Sequence, residues 1–102
     1  HLHFDHCGGS IKYNEDRSGF MTVFPNARYW VSRAQWELSR NPNKLESASF
    51  LEENINPIKA SGQLELFDGE FELTPNIQLR LFNGHTAGQA IGLVSYNRRT
   101  IV

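Results

Sequence analysis

The second half of the chain constrains the fold most. From Leu64 onward, apolar and polar residues alternate in short runs broken by turn formers. Leu64-Glu65-Leu66-Phe67 and Phe71-Glu72-Leu73 lie on either side of Asp68-Gly69, and Ile77-Gln78-Leu79-Arg80-Leu81 alternates again. Ala90 to Tyr96 follows, and Asn97-Arg98-Arg99 separates it from Thr100-Ile101-Val102. A period of two buries one face of a pleated strand, whereas a helix needs a period near 3.6. Asp-Gly between two such runs signals a hairpin. Residues 63–102 therefore predict an antiparallel β-meander whose first turn is Asp68-Gly69.

The first half reads differently. His1 to Ser10 is polar and is broken by Gly8-Gly9, which suggests a loop leading into a short helix or turn. Lys12 to Ser18 is an expected exposed loop, and Phe20 to Phe24 a short extended piece ending at Pro25. Arg28-Tyr29-Trp30-Val31 has the aromatic and β-branched composition of a strand. Ser32 is placed to cap a helix that Asn41-Pro42 ends. A second helix is expected over Ser47 to Asn54, with Ser49 and Glu52 as a capping box and Pro57 as its stop. A helical segment over 32–56 followed by a meander makes the class α+β, with helices on one face of a mostly antiparallel sheet.

Composition narrows the function. At 102 residues the chain suits one small domain. Apolar residues make up 39% and charged residues 21%, which fits a folded protein rather than a disordered one. A net charge of −1 with no basic block argues against nucleic acid and anionic membranes as partners. No apolar run approaches the roughly 20 residues of a membrane helix. Cys7 is the single cysteine, so no intrachain disulfide forms, which favours a reducing, cytoplasmic setting. The sequence starts inside its densest chemical motif and stops in mid-element, so both ends read as cut from a longer chain.

That motif is His1-Leu2-His3-Phe4-Asp5-His6, four candidate metal ligands in six residues. Imidazole and carboxylate suit zinc and its first-row neighbours. In an extended or looped backbone His1 and His3 face the same way, while the adjacent Asp5 and His6 diverge toward a second ion. Leu2 and Phe4 would anchor the loop in a core. Far downstream, Gly84-His85-Thr86 interrupts the meander with one more histidine. Added to His1 and His3 it makes three ligands, the set that leaves a zinc coordination position open for water.

His-x-His-x-Asp-His followed by Gly-Gly, with Gly-His-Thr about eighty residues on, resembles the metallo-β-lactamase superfamily. Phe24-Pro25-Asn26-Ala27, Val31 to Glu37, Phe50-Leu51 and Asp68-Gly69 resemble its lactonase and organophosphate-hydrolase-like branch. The resemblance covers essentially the whole chain. It implies part of an αββα sandwich, residues 1–102 forming an incomplete domain with its metal loop over 1–10. It also implies that His1, His3 and His85 hold one zinc ion, or another divalent metal, and that Asp5 and His6 hold a second. Asp5 would also orient the attacking water. The implied reaction is attack of a metal-bound hydroxide on a small-molecule lactone, ester or phosphotriester. Histidine at position 3, where the oxygen-reducing di-iron branch has glutamate, favours hydrolysis. The alternatives are a thioester hydrolase or iron sulfur dioxygenase on the same fold, or a non-catalytic metal-binding or interaction domain. The family's usual Gly-His-Thr-Pro-Gly-His reads Gly84-His85-Thr86-Ala87-Gly88-Gln89 here. No residue of the chain stands in for the family's bridging carboxylate.

Several other residues invite a role. Cys7 could be a ligand but suits a small buried position better. Trp30 and Trp36 could line a pocket, although aromatics at a strand–helix junction are more often core. Tyr13, Phe20 and Met21 follow the metal loop and are pocket candidates. Arg98-Arg99 reads as a solvated turn.

Overall fold

The computed structural model describes all 102 residues, His1–Val102. A helical turn, α1 (Phe4–Cys7), continues through a 3-10 turn at Gly8–Ser10 into a hairpin of β1 (Ile11–Tyr13) and β2 (Phe20–Thr22). Strand β3 (Tyr29–Ser32) runs directly into α2 (Arg33–Arg40). A 3-10 turn at Ser47–Ser49 and helix α3 (Glu52–Ala60) follow, then β4 (Leu64–Phe67). The chain ends in β5 (Phe71–Thr74), β6 (Ile77–Phe82), β7 (Gln89–Tyr96) and β8 (Arg99–Ile101).

Ser32 caps α2 as expected, its Oγ accepting from Gln35 N at 3.1 Å. Strand β6, strand β7 and the start of β8 also fall where the alternation places them. The turn between β7 and β8 carries φ of +49° at Asn97 and +60° at Arg98. Both central residues with positive φ make the turn whose twist matches a two-residue hairpin.

Lys12 and Tyr13, expected in an exposed loop, form part of β1, and Phe4, expected to anchor its loop in a core, is half exposed because it starts α1 on the solvent side. Three further expectations fail. Asp68-Gly69 does not turn a hairpin: β4 pairs in parallel with β3, Tyr29 opposite Leu64 and Ser32 opposite Phe67, whereas β5 pairs with β6. Parallel strands need a long crossover, and α2 and α3 supply it. The meander is therefore β5–β8, and β3–β4 forms a separate parallel pair. Asp68 instead ion-pairs with Arg33 at the start of α2, at 3.2 Å. Second, Ser49 does not cap the next helix; it closes the 3-10 turn, and α3 starts at Glu52 with Leu51 at its cap. Third, Pro57 lies inside α3. A proline removes the bond to the carbonyl four residues back. That residue is the exposed Glu53, whose carbonyl water can serve.

The core lies where α2 and α3 meet the strands around Val31, Phe50, Ile55, Ile58 and Phe67. Strands β5–β8 contain no fully buried residue, and Phe82, Tyr96 and Ile101 are exposed. The molecule is a slab of 47 × 33 × 20 Å, about two layers thick. Its accessible surface of 7035 Å² exceeds the roughly 5,900 Å² expected of a folded monomer of this mass. The class is α+β with mostly antiparallel strands, but the helices pack chiefly against β1–β4 rather than on one face of the four-stranded sheet β5–β8. No helix is long and apolar enough to cross a membrane.

Candidate metal centre

His3 has extended backbone angles and is the cap of α1, its carbonyl accepting from His6 N at 2.9 Å and Cys7 N at 3.0 Å. This turn decides the geometry of the motif. An extended chain would carry His6 roughly 17 Å from His1. The helical turn folds it back until the two rings lie 3.9 Å apart. The loop is therefore extended only as far as His3 and helical from Phe4.

His85 reaches the same place from the other end of the sequence. Its ring centroid lies 5.0 Å from that of His1 and 5.1 Å from that of His3, and His1 and His3 are 4.7 Å apart. Candidate ligand atoms of His1, His3 and His85 all lie within 4.8 Å of one another, as do those of His1, Asp5 and His6. Three nitrogens on a tetrahedral zinc, each at about 2.0–2.1 Å, sit roughly 3.3 Å apart. The cluster needs only small side-chain movements to close on an ion. His1 belongs to both groups.

An unpartnered atom marks the centre. His1 Nε2 is buried and has no hydrogen-bond partner. Buried polar atoms are seldom left so, because the lost hydration is not replaced. A bare buried nitrogen on a ring that packs against two further imidazoles is an arrangement that a cation resolves, so the donor set fits a divalent ion. Asp5 and His6 are more open, with side chains 62% and 57% exposed and 3.6 Å between Asp5 Oδ2 and His6 Nε2. They face solvent, where a substrate and water can reach them.

Two segments far apart in sequence are held together by α2. Gln35 is fully buried. Its Nε2 donates to Thr86 Oγ1 at 3.1 Å and to Ala87 O at 2.9 Å, and its Oε1 accepts from Leu2 N at 3.3 Å. Ser32 Oγ donates to Gly88 O at 2.5 Å while accepting from Gln35 N. Gly88 has φ +75°, and a Cβ there would meet Gln35 N and Ser32 Oγ at 2.5 Å. The glycine is what allows the His85 loop to lie against the N-terminus of α2.

Glu46, on the turn before Ser47–Ser49, completes the surround. Its Oε2 lies 3.1 Å from His3 Nε2 and accepts from the Thr86 hydroxyl, and its Oε1 accepts from Asn43 Nδ2 at 3.0 Å. The Thr86 hydroxyl, then the Asn43 amide, hold the Glu46 carboxyl below its ordinary range. Neither Gln35 nor Glu46 stands out in the sequence. Gln35 lies in a polar helix and Glu46 in a polar loop, and nothing local marks either as an inward residue.

The remaining candidates separate. Cys7 is buried, donates to Leu2 O at 3.3 Å, and its thiol is pushed up by burial. It belongs to neither cluster of possible ligands. Trp30 and Trp36 line a cavity of about 300 Å³ under the loop, which His1 and His6 also border. Tyr13 and Phe20 stack at 4.6 Å on the β1–β2 hairpin, away from that cavity, as is Met21.

No protein-family model matches the chain. An N-acyl homoserine lactonase of a Bacillus species is 32% identical over 88 residues, which is 86% of this chain and 28% of that protein. An N-acyl homoserine lactonase of Bacillus cereus is 26% identical over the whole chain and 33% of its own length. A probable metal-dependent hydrolase from Staphylococcus aureus superposes with a TM-score of 0.78 and 29% identity, over 92% of this chain and 31% of that one. The chain has the metallo-β-lactamase fold of these lactonases and hydrolases. An N-acyl homoserine lactone hydrolase, solved with N-hexanoyl-L-homoserine at its catalytic metal centre, shares that fold with a TM-score of 0.65. It is 24% identical over 98% of this chain and 32% of its own. The metallo-β-lactamase-fold chain thus spans about a third of the length of these relatives.

Proposed function

We propose that the protein carrying this chain is a metal-dependent hydrolase, and that a lactone is its substrate class. The reading is carried by the convergence of His1, His3 and His85, with His1 Nε2 buried and without a partner. These three side chains would hold one divalent ion, zinc by the chemistry of an all-imidazole set. Asp5 and His6 would serve a second ion beside it. Ions held there supply Lewis-acid polarisation of an acyl carbonyl and lower the pKa of water toward about 7. Asp5, exposed beside the cluster, is suited to orient that water and accept its proton. Hydrolysis breaks the acyl C–O bond of the ring, adds the elements of water, and at neutral pH yields a hydroxycarboxylate and one proton.

Lactones lead esters and phosphotriesters because the relatives in Bacillus are named lactonases. The test is metal analysis of the purified protein, with proton release measured on N-acyl homoserine lactones, simple esters and phosphotriesters. Lactone turnover that disappears with a chelator and with His85→Ala is expected. Turnover that survives metal removal, or a protein that binds no divalent ion, would overturn the reading.

A further inference from the structure

We propose that Glu46 is the positioning residue of the histidine cluster: its carboxylate takes the Nε2–H of His3 and leaves Nδ1 bare as the ligand nitrogen. The inference rests on the metal reading of the cluster and adds a residue outside the His-x-His-x-Asp-His motif.

Proton counting carries it. Gln35 Nε2 is a donor only, so Thr86 Oγ1 accepts there and turns its own proton to Glu46 Oε2. A carboxylate has no proton to give. The contact at 3.1 Å between Glu46 Oε2 and His3 Nε2 therefore has the imidazole as donor. With Nε2 protonated, a neutral His3 has its lone pair on Nδ1. The unused ring N–H of a metal-bound histidine is commonly tied to a carboxylate in this way, which fixes tautomer and ring orientation.

Glu46 is itself held in place. Asn43 Oδ1 accepts from Leu45 N at 2.9 Å and Glu46 N at 3.0 Å, and Asn43 Nδ2 returns to Glu46 Oε1. One oxygen, Oε2, thus receives both His3 and Thr86, the neighbour of His85. The carboxylate ties together the two stretches of chain that supply the ligands. Phe50 packs edge-on against the His3 ring, at 4.9 Å, and limits its rotation.

The experiment has two readouts that need no turnover. Proton–nitrogen correlation NMR of the metal-free protein should show His3 as the Nε2–H tautomer, and Glu46→Ala should give a tautomer mixture. Zinc affinity, measured by chelator competition, should fall about 10- to 100-fold in Glu46→Ala, the usual cost of removing such a partner. Glu46→Gln, which keeps an acceptor oxygen and the side-chain volume, should retain the tautomer with a smaller loss of affinity. If Glu46→Ala does not fold, the wild-type tautomer and Glu46→Gln decide. An Nδ1–H tautomer in the wild type, or wild-type zinc affinity in Glu46→Ala, overturns the proposal. His85→Ala separates the two levels. If it leaves zinc affinity unchanged, the metal reading itself fails; if it abolishes affinity while Glu46→Ala keeps the wild-type value, only the role of Glu46 falls.

Discussion

Replacing Gly88 by alanine tests how the His85 loop is held. The new Cβ would sit 2.5 Å from Gln35 N and Ser32 Oγ and 2.9 Å from Ala34 Cβ. The first is backbone and the others are short side chains on the first turn of α2, so none can swing away. Left-handed φ costs an alanine about 1–2 kcal/mol, the overlap about 1–3, and loss of the Ser32 cap about 1, giving roughly 3–6 kcal/mol. That is a large share of the roughly 5–15 kcal/mol that stabilises a small domain. Urea unfolding followed by circular dichroism should show a midpoint lower by more than about 1 M. Gly92→Ala is the control, since its Cβ meets nothing within 4 Å and its φ is not positive. Zinc affinity should fall with stability, because His85 is on the displaced loop. A Gly88→Ala protein with the wild-type midpoint and affinity would refute the packing argument.

Other substitutions probe separate parts. Gln35→Met keeps the volume but removes the partners of Leu2 N and Ala87 O; Ala87 is exposed and water can serve its carbonyl, so the loss should be about 1–3 kcal/mol in all, read from the same unfolding curves. Cys7, with its thiol above the ordinary 9.0 through burial, should alkylate slowly in the folded protein and rapidly once denatured, as mass spectrometry would show. Asp16 is held below its ordinary 3.8 by the Ser18 hydroxyl and then the Ser18 N–H. A depressed folded pKa contributes stability above pH 3.8 that is lost as pH falls through the folded value. Carbon-detected NMR should therefore find Asp16 titrating below 3.8, and Ser18→Ala should move it upward.

What the sequence discloses about this fold depends on the range of the interaction. The cap at Ser32 and the turn at Asn97-Arg98 are local chemistry, and both are legible. The alternation in β6 and β7 reports a half-buried sheet and is legible too. The pairing of β4 is not local. Leu64-Glu65-Leu66-Phe67 alternates equally well beside β5 or beside β3, and the crossover through α2 and α3 decides for β3. The order strand, two helices, strand was a βαβ signal that Asp68-Gly69 obscured. Pro57 misleads because the carbonyl it leaves free is on the exposed side of α3.

The candidate centre divides in the same way. His1, His3, Asp5, His6 and His85 are visible as residue types at telling spacings, and the structure brings them into two groups that share His1. Their supports, Gln35, Glu46 and Thr86, are a buried amide, a loop carboxylate and a hydroxyl, which sequence cannot distinguish from surface residues. Only the fold, by laying α2 and the Asn43–Glu46 turn against both ligand stretches, gives them meaning.

If His1, His3 and His85 jointly hold a divalent ion, the ion itself can be located. Anomalous X-ray scattering at the zinc edge, on crystals of the zinc-loaded protein, tests it directly. An anomalous peak is expected about 2.0–2.1 Å from one ring nitrogen of each of the three histidines, with Nδ1 the nitrogen used by His3. A peak elsewhere, or an ion that touches His1 and His3 while His85 points away, would contradict it.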